Sequence, residues 1–190
     1  MGLRTFIAIE VPENVRSAII EALGPLRKLL PDPVKWVGPD NIHLTLKFLG
    51  DTPEEKIRGI EAAMARAAGA LEPMEVAVSG AGAFPNLRRP SVIWAGLNCP
   101  PALLELKKRI ESELASLGFE EDSRVFSPHL TVGRVRRGAK IPRRRLAAEI
   151  ERLEKITFGA MDIREIVLMK SDLRPGSPVY TKLYSAALSD

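Results

Sequence analysis

The tripeptide His-Leu-Thr occurs twice in this chain, as His43-Leu44-Thr45 in NIHLTLKFLG and as His129-Leu130-Thr131 in SPHLTVGR, and the two copies hold both histidines of its 190 residues. Sliding the chain along itself so that residue 129 falls on residue 43 aligns more than the tripeptides. TFIAIEV (residues 5–11) falls on SVIWAGL (residues 91–97), both short β-branched and aromatic runs that read as strands. Each is followed by a helical pattern: Val15, Ile19, Ala22, Leu23, Leu26 and Leu30, interrupted at Gly24-Pro25, and then Leu103, Leu106, Ile110, Leu114 and Leu117, closed by Gly118. A loop, the histidine strand and a second helix come next in both copies. Thr52-Pro53-Glu54-Glu55 reads as a capping box for the first of these helices, and Pro142 opens the second.

A chain written twice in the order strand, helix, strand, helix, strand predicts an α+β fold, a single bilobal domain over residues 1–190 with halves of roughly 1–85 and 86–190. Each half is expected to form a small, largely antiparallel sheet flanked by helices. SVIWAGL follows MEVAVSGAGAF closely enough to be its hairpin partner across PNLRRP, so the lobes are expected to exchange strands.

Composition excludes several classes. One cysteine, Cys99, allows no internal disulfide and no cysteine-based zinc cluster. The N-terminus reaches an acidic residue too early for a signal-peptide core, and no apolar run has the length of a membrane span, so a cytoplasmic protein with no membrane partner is expected. Nothing demands more than a monomer. The net charge of +4 is unevenly placed: Arg134, Arg136, Arg137, Lys140, Arg143, Arg144 and Arg145 follow one another without an acid. Such a run is either a solvated loop and helix start or a surface for polyphosphate, which Arg88 and Arg89 would extend.

Alternate residues of a strand share a face, so His43 and Thr45 point one way and Leu44 and Leu46 the other, as do His129 and Thr131 against Leu130 and Val132. Leucine and valine anchor the strands in the core; imidazole and hydroxyl are left on a polar face. Two imidazoles can serve as general acid and general base near neutral pH, and two hydroxyls can donate to the non-bridging oxygens of a phosphate between them. The other readings are two histidines satisfied in a core, or a zinc site. Zinc needs at least three protein ligands, and Cys99 and a carboxylate are the spare partners, so no metal and no cofactor are expected.

The paired motifs HLTL and HLTV, with FIAIEVP at the start and KWV…NIHLTLKFLG before the midpoint, closely resemble the 2H phosphoesterase superfamily, and within it the RNA 2′,3′-cyclic phosphodiesterases also called 2′-5′ RNA ligases. The resemblance implies a bilobal α+β fold with the active cleft between the lobes, and metal-independent hydrolysis of RNA 2′,3′-cyclic phosphate ends to 2′-phosphomonoesters. ATP-independent 2′-5′ ligation of tRNA halves, or turnover of small cyclic nucleotides, would belong to the same chemistry. It further implies His43 as proton donor, His129 as proton acceptor, Thr45 and Thr131 as phosphate-binding residues, and Arg134 as added charge near the phosphate. Phe48 stands after His43 as Arg134 stands after His129, either stacking on a base or ribose or filling the core. Trp36 is expected against the loop entering the first histidine strand, and Lys47 opposite to Phe48. A non-catalytic nucleotide- or RNA-binding module is the alternative function.

Overall fold

A computed structural model describes residues 2–189. In chain order its elements are β1 (Leu3–Glu10), α1 (Glu13–Ala22), α2 (Gly24–Leu29), β2 (Val34–Trp36), a 3-10 turn (Pro39–Asn41), β3 (His43–Thr52), a 3-10 turn (Glu54–Lys56), α3 (Ile57–Ala68), β4 (Met74–Phe84), β5 (Val92–Leu97), α4 (Pro101–Ala115), β6 (His129–Val135), α5 (Arg143–Glu154), β7 (Thr157–Ile163), β8 (Glu165–Asp172) and β9 (Val179–Ala187). The expected helices are present, and the chain breaks between α1 and α2 at Leu23, where Gly24 and the N–H-less Pro25 begin a new turn.

The expectation of two sheets is corrected. All nine strands among the described residues belong to one antiparallel sheet in the order β7-β4-β5-β6-β3-β1-β8-β9, with β2 paired to β6. Strands from each half lie on both sides of its centre, and the two sides join through a single β3–β6 bridge, Leu44 opposite Leu130. From Gly133 onward β2 takes over that edge of β6. β2 and β7 carry little strand signal: the first is a three-residue strand, and the second contains Gly159 at φ +125°.

One face of the sheet is buried under the helices. Leu44, Leu46, Leu130, Val132, Ile7 and Ile93 pack there against Val15 and Ile19 of α1, Ile60 and Met64 of α3, Leu106 and Ile110 of α4, and Leu146 and Ile150 of α5. Among the described residues the opposite face carries no helix layer, only a small cluster of Phe6, Ala8 and Val167 with Met169 and Tyr180 against it. The capping box does not form: Thr52 ends β3, and its buried hydroxyl bonds that of Thr5 at 2.7 Å. α3 starts instead at Ile57, without a side-chain cap. Trp36 sits on the second histidine strand instead of the loop before the first. Its ring covers Gly133, where a Cβ would fall 3.1 Å from the indole, and its Nε1–H donates to the Leu30 carbonyl at 3.0 Å.

Lys47 points away from Phe48, into the helix side, where it is buried with an ionic network. Its ammonium pairs with Glu111 of α4 and donates to the Glu120 carbonyl at 2.7 Å; Lys107 pairs with the same Glu111 and with Asp122 at 2.8 Å. The Lys107 hydrogen bond holds the Asp122 carboxyl below its ordinary pKa. This network ties β3 to the segment that leads into β6. Glu111→Gln leaves two buried ammonium groups without their shared carboxylate and is expected to lower unfolding free energy by about 3–5 kcal/mol. Urea unfolding checks this; a loss within the range of ordinary surface substitutions would show the network to be solvated.

Candidate active site

The β3–β6 bridge fixes how the two tripeptides meet. With Leu44 opposite Leu130 in an antiparallel pair, the register one residue either way sets His43 against Thr131 and Thr45 against His129. Both leucines turn into the core, so all four polar side chains stand on the sheet face that no helix covers. The histidines are diagonal neighbours across this pair, an arrangement that separates side-chain bases by about 7–8 Å.

Each imidazole is held in the same way. His43 Nδ1–H donates to the Asn41 carbonyl at 2.8 Å, and His129 Nδ1–H to the Ser127 carbonyl at 2.9 Å, in both cases two residues upstream. A carbonyl only accepts, so Nδ1 carries the hydrogen and Nε2 is the nitrogen left to take or give a proton. The rings are also braced by aromatics. Phe6 lies 4.9 Å and Tyr180 5.3 Å from His43 between centroids, and Phe84 lies edge-on 4.9 Å from His129, with Trp94 5.3 Å from Phe84.

Strict alternation would send Phe48 and Arg134 to the core, because each stands an odd number of residues after its histidine. Two bulges prevent this. β1 pairs Ala8 with Thr45 and then Ile7 with Lys47, passing over Leu46; β5 pairs Trp94 with Thr131 and then Ile93 with Gly133, passing over Val132. An extra residue in one strand shifts the phase of every side chain after it. Leu46 and Lys47 therefore both face the helices, as do Val132 and Gly133, and the next residue returns to the polar face. Phe48 is 67% exposed there, which removes the core-aromatic reading, and Arg134 is exposed beside the site. All six residues singled out in the sequence thus share one face.

The structure adds neighbours that the motifs did not indicate: Phe6, Phe84, Trp94 and Tyr180, and the carbonyls of Asn41 and Ser127. Phe6 is legible afterwards as the strand partner of Phe48; Tyr180 comes from a distant strand with no motif of its own. A cleft of about 460 Å³ opens beside His43, lined among others by Phe6, Asn41, Tyr180 and Lys182. Burial lowers the His43 pKa below its ordinary value, with Arg134 and His129 adding to the effect and the Asn41 carbonyl opposing it. Burial raises that of Tyr180, so its phenol stays neutral. Among the described residues, no three His, Cys, Asp or Glu side chains gather as a metal site.

The sequence pattern of the LigT-like phosphoesterases matches residues 9–94 and again 97–180. The chain belongs to the LigT-like phosphoesterase family. It is 38% identical over 185 residues, 96% of its length and 97% of the relative's, to the RNA 2′,3′-cyclic phosphodiesterase of Methanothermobacter thermautotrophicus. It is 32% identical to the protein of that name from Thermotoga maritima, covering 96% of this chain and 94% of the other. Among solved structures, E. coli LigT complexed with 3′-AMP superposes with a TM-score of 0.78 at 28% identity, covering 100% of both chains. A crystal structure from Thermus thermophilus superposes at 0.82 and 30% identity, covering 98% of each chain. No helix among the described residues is long and apolar enough to cross a membrane.

Proposed function

We propose that this LigT-like phosphoesterase hydrolyses RNA 2′,3′-cyclic phosphate ends to 2′-phosphomonoesters without a metal ion. One observation carries the proposal: two imidazoles, each with Nδ1 committed to a backbone carbonyl and Nε2 available, flank a single bridge pair that also brings a threonine beside each. His129 Nε2 takes a proton from water as its oxygen attacks phosphorus. The bond from phosphorus to the ribose 3′-oxygen breaks, and His43 Nε2–H delivers a proton to that oxygen. Thr45 and Thr131 donate to the non-bridging oxygens, Arg134 opposes their charge, and Phe48 offers a stacking surface to the terminal nucleoside. With a ribose 5′-hydroxyl in the place of water, the same groups would join it to the cyclic phosphate end, which brings 2′-5′ ligation of tRNA halves within the same chemistry. The relatives' printed names support the cyclic phosphate as substrate. The matched bulges and the twice-fitting family pattern support a duplicated, bilobal origin, with the active cleft where the halves meet. A cytoplasmic monomer completes the proposal.

The test is hydrolysis of a 2′,3′-cyclic mononucleotide in excess EDTA across pH. Full activity is expected, and loss restored by zinc would defeat the metal-free mechanism. An acid must be protonated at the start, so activity falls as pH rises through its pKa. Because the His43 pKa is lowered in the free protein, the alkaline limb of kcat/KM is expected below the ordinary histidine value of about 6.5. Bound phosphate is an anion that favours imidazolium, so the limb in kcat should move to higher pH. An alkaline limb at the same pH in both profiles would place the acid elsewhere.

A further inference from the structure

Two of the exposed cations downstream of Arg134 gather with two from another loop. The β4–β5 loop brings Arg88 and Arg89 against Lys140 and Arg143 from the β6–α5 connection, around a groove of about 400 Å³ floored by Pro90, Val135 and Ile141. No carboxylate lines the groove. Among the described residues none of these four cations is in an ion pair or side-chain hydrogen bond, although the chain has 24 acidic residues and acids elsewhere are drawn into pairs with Lys47, Lys107, Arg66 and Lys182. Like charges gathered on one apolar floor repel one another, and an anion between them relieves that repulsion. Both loops are tied down: the Arg88 and Arg89 amides donate to Asn86 Oδ1, the Val135 amide to the Ser91 carbonyl, and the Arg136 guanidinium to the Asp32 carbonyl.

The groove lies at the end of the strand that crosses the active face. β6 carries His129, Thr131 and Arg134 on that face, and its last residue, Val135, lines the groove. At strand rise, His129 and Val135 are separated by roughly 20 Å. Phosphates follow one another every 3.4 Å or so along a stacked strand, so the groove lies about six nucleotides from the reacting end, and fewer if the strand is extended.

We propose that this groove is a second phosphate-binding site, one that holds the backbone of a single-stranded RNA several nucleotides upstream of the end placed between the histidines. It rests on the proposed function for the position of that end, and it makes the preferred substrate an oligonucleotide over a mononucleotide. A single strand is favoured because the reacting nucleotide must leave any duplex to reach a face between two strands.

The test compares a dinucleotide with a fluorescently labelled single-stranded RNA of about eight nucleotides, both ending in the inert 2′-phosphate, by anisotropy at several salt concentrations. The longer RNA is expected to bind on the order of tenfold tighter, with the slope of log affinity against log salt steeper by about 0.7 for each added phosphate held. Replacing Arg88, Arg89, Lys140 and Arg143 together by alanine should erase both differences and leave hydrolysis of a cyclic mononucleotide unchanged. Arg→Lys at the three arginines should keep most of the salt slope. Equal affinity for the two RNAs in the natural protein, or an alanine variant that weakens both alike, would overturn the groove. So would binding to anionic lipid vesicles with no preference for the longer RNA. If the natural protein hydrolyses no cyclic phosphate while octamer affinity still depends on the four cations, the functional reading fails and the groove stands.

Discussion

Replacing His129 by alanine is expected to lower turnover of a 2′,3′-cyclic phosphate by about 10²–10⁴-fold, and replacing His43 to do the same, with little change in unfolding free energy. Both side chains stand on the uncovered face of the sheet; the residues that hold their strands are Leu44 and Leu130, which the variants leave intact. The double variant should fall little further than either single one, because an acid and a base acting in one displacement are not independent. A substrate whose leaving group departs without a proton separates the two roles. On a nitrophenyl phosphodiester, His43→Ala is expected to recover most of its loss and His129→Ala almost none. Recovery in the opposite variant would exchange acid and base; near-natural rates in either would end the two-histidine mechanism.

The second large effect concerns the hydroxyls. Thr45→Val and Thr131→Val keep the branched shape that suits a strand and remove only the donor. Each is expected to lower kcat by about 10²–10³-fold, the usual loss for one donor to a developing phosphate or oxyanion charge. A donor that acts mainly on that developing charge leaves KM less affected than kcat. Thr→Ser, which restores a hydroxyl, should recover much of the rate. A valine variant that raised KM alone would make the threonine a ground-state binding group only.

The polar site was legible because its signal is local and doubled: a three-residue motif on a strand specifies which side chains share a face, and a second copy supplies the partner. What lay beyond the motif depended on pairing. Alternation reads the directions of His43, Thr45 and Leu46 correctly and fails from Lys47 on, since a bulge is a property of two strands and appears only when β1 is laid against β3. Lys47 illustrates the loss. Its direction opposite to Phe48 was readable, yet its burial depends on Glu111, Lys107 and Asp122, which no spacing in the sequence associates with it. Thr52 was misread for a similar reason: the pattern Thr-Pro-Glu-Glu is a capping box locally, but the hydroxyl is claimed by Thr5 across the sheet. The union of the strands into one sheet rests on the single Leu44–Leu130 bridge, a contact too small to leave a trace in periodicity. Tyr180 joins the His43 aromatics only because β9 pairs with β8 and β8 with β1.

The matched bulges at Leu46 and Val132 also set which lengths of chain the protein can tolerate. Elsewhere in an exposed loop, losing or gaining one residue is absorbed. Between His43 and Phe48, or between His129 and Arg134, deleting the residue passed over would keep the strand partners but strip buried Leu46 or Val132 from the core, deleting any other would change which residue meets which partner, and inserting one would turn the guanidinium of Arg134 toward the helix side. The number of residues from each histidine to its flanking side chain is therefore as much a part of the site as their identities.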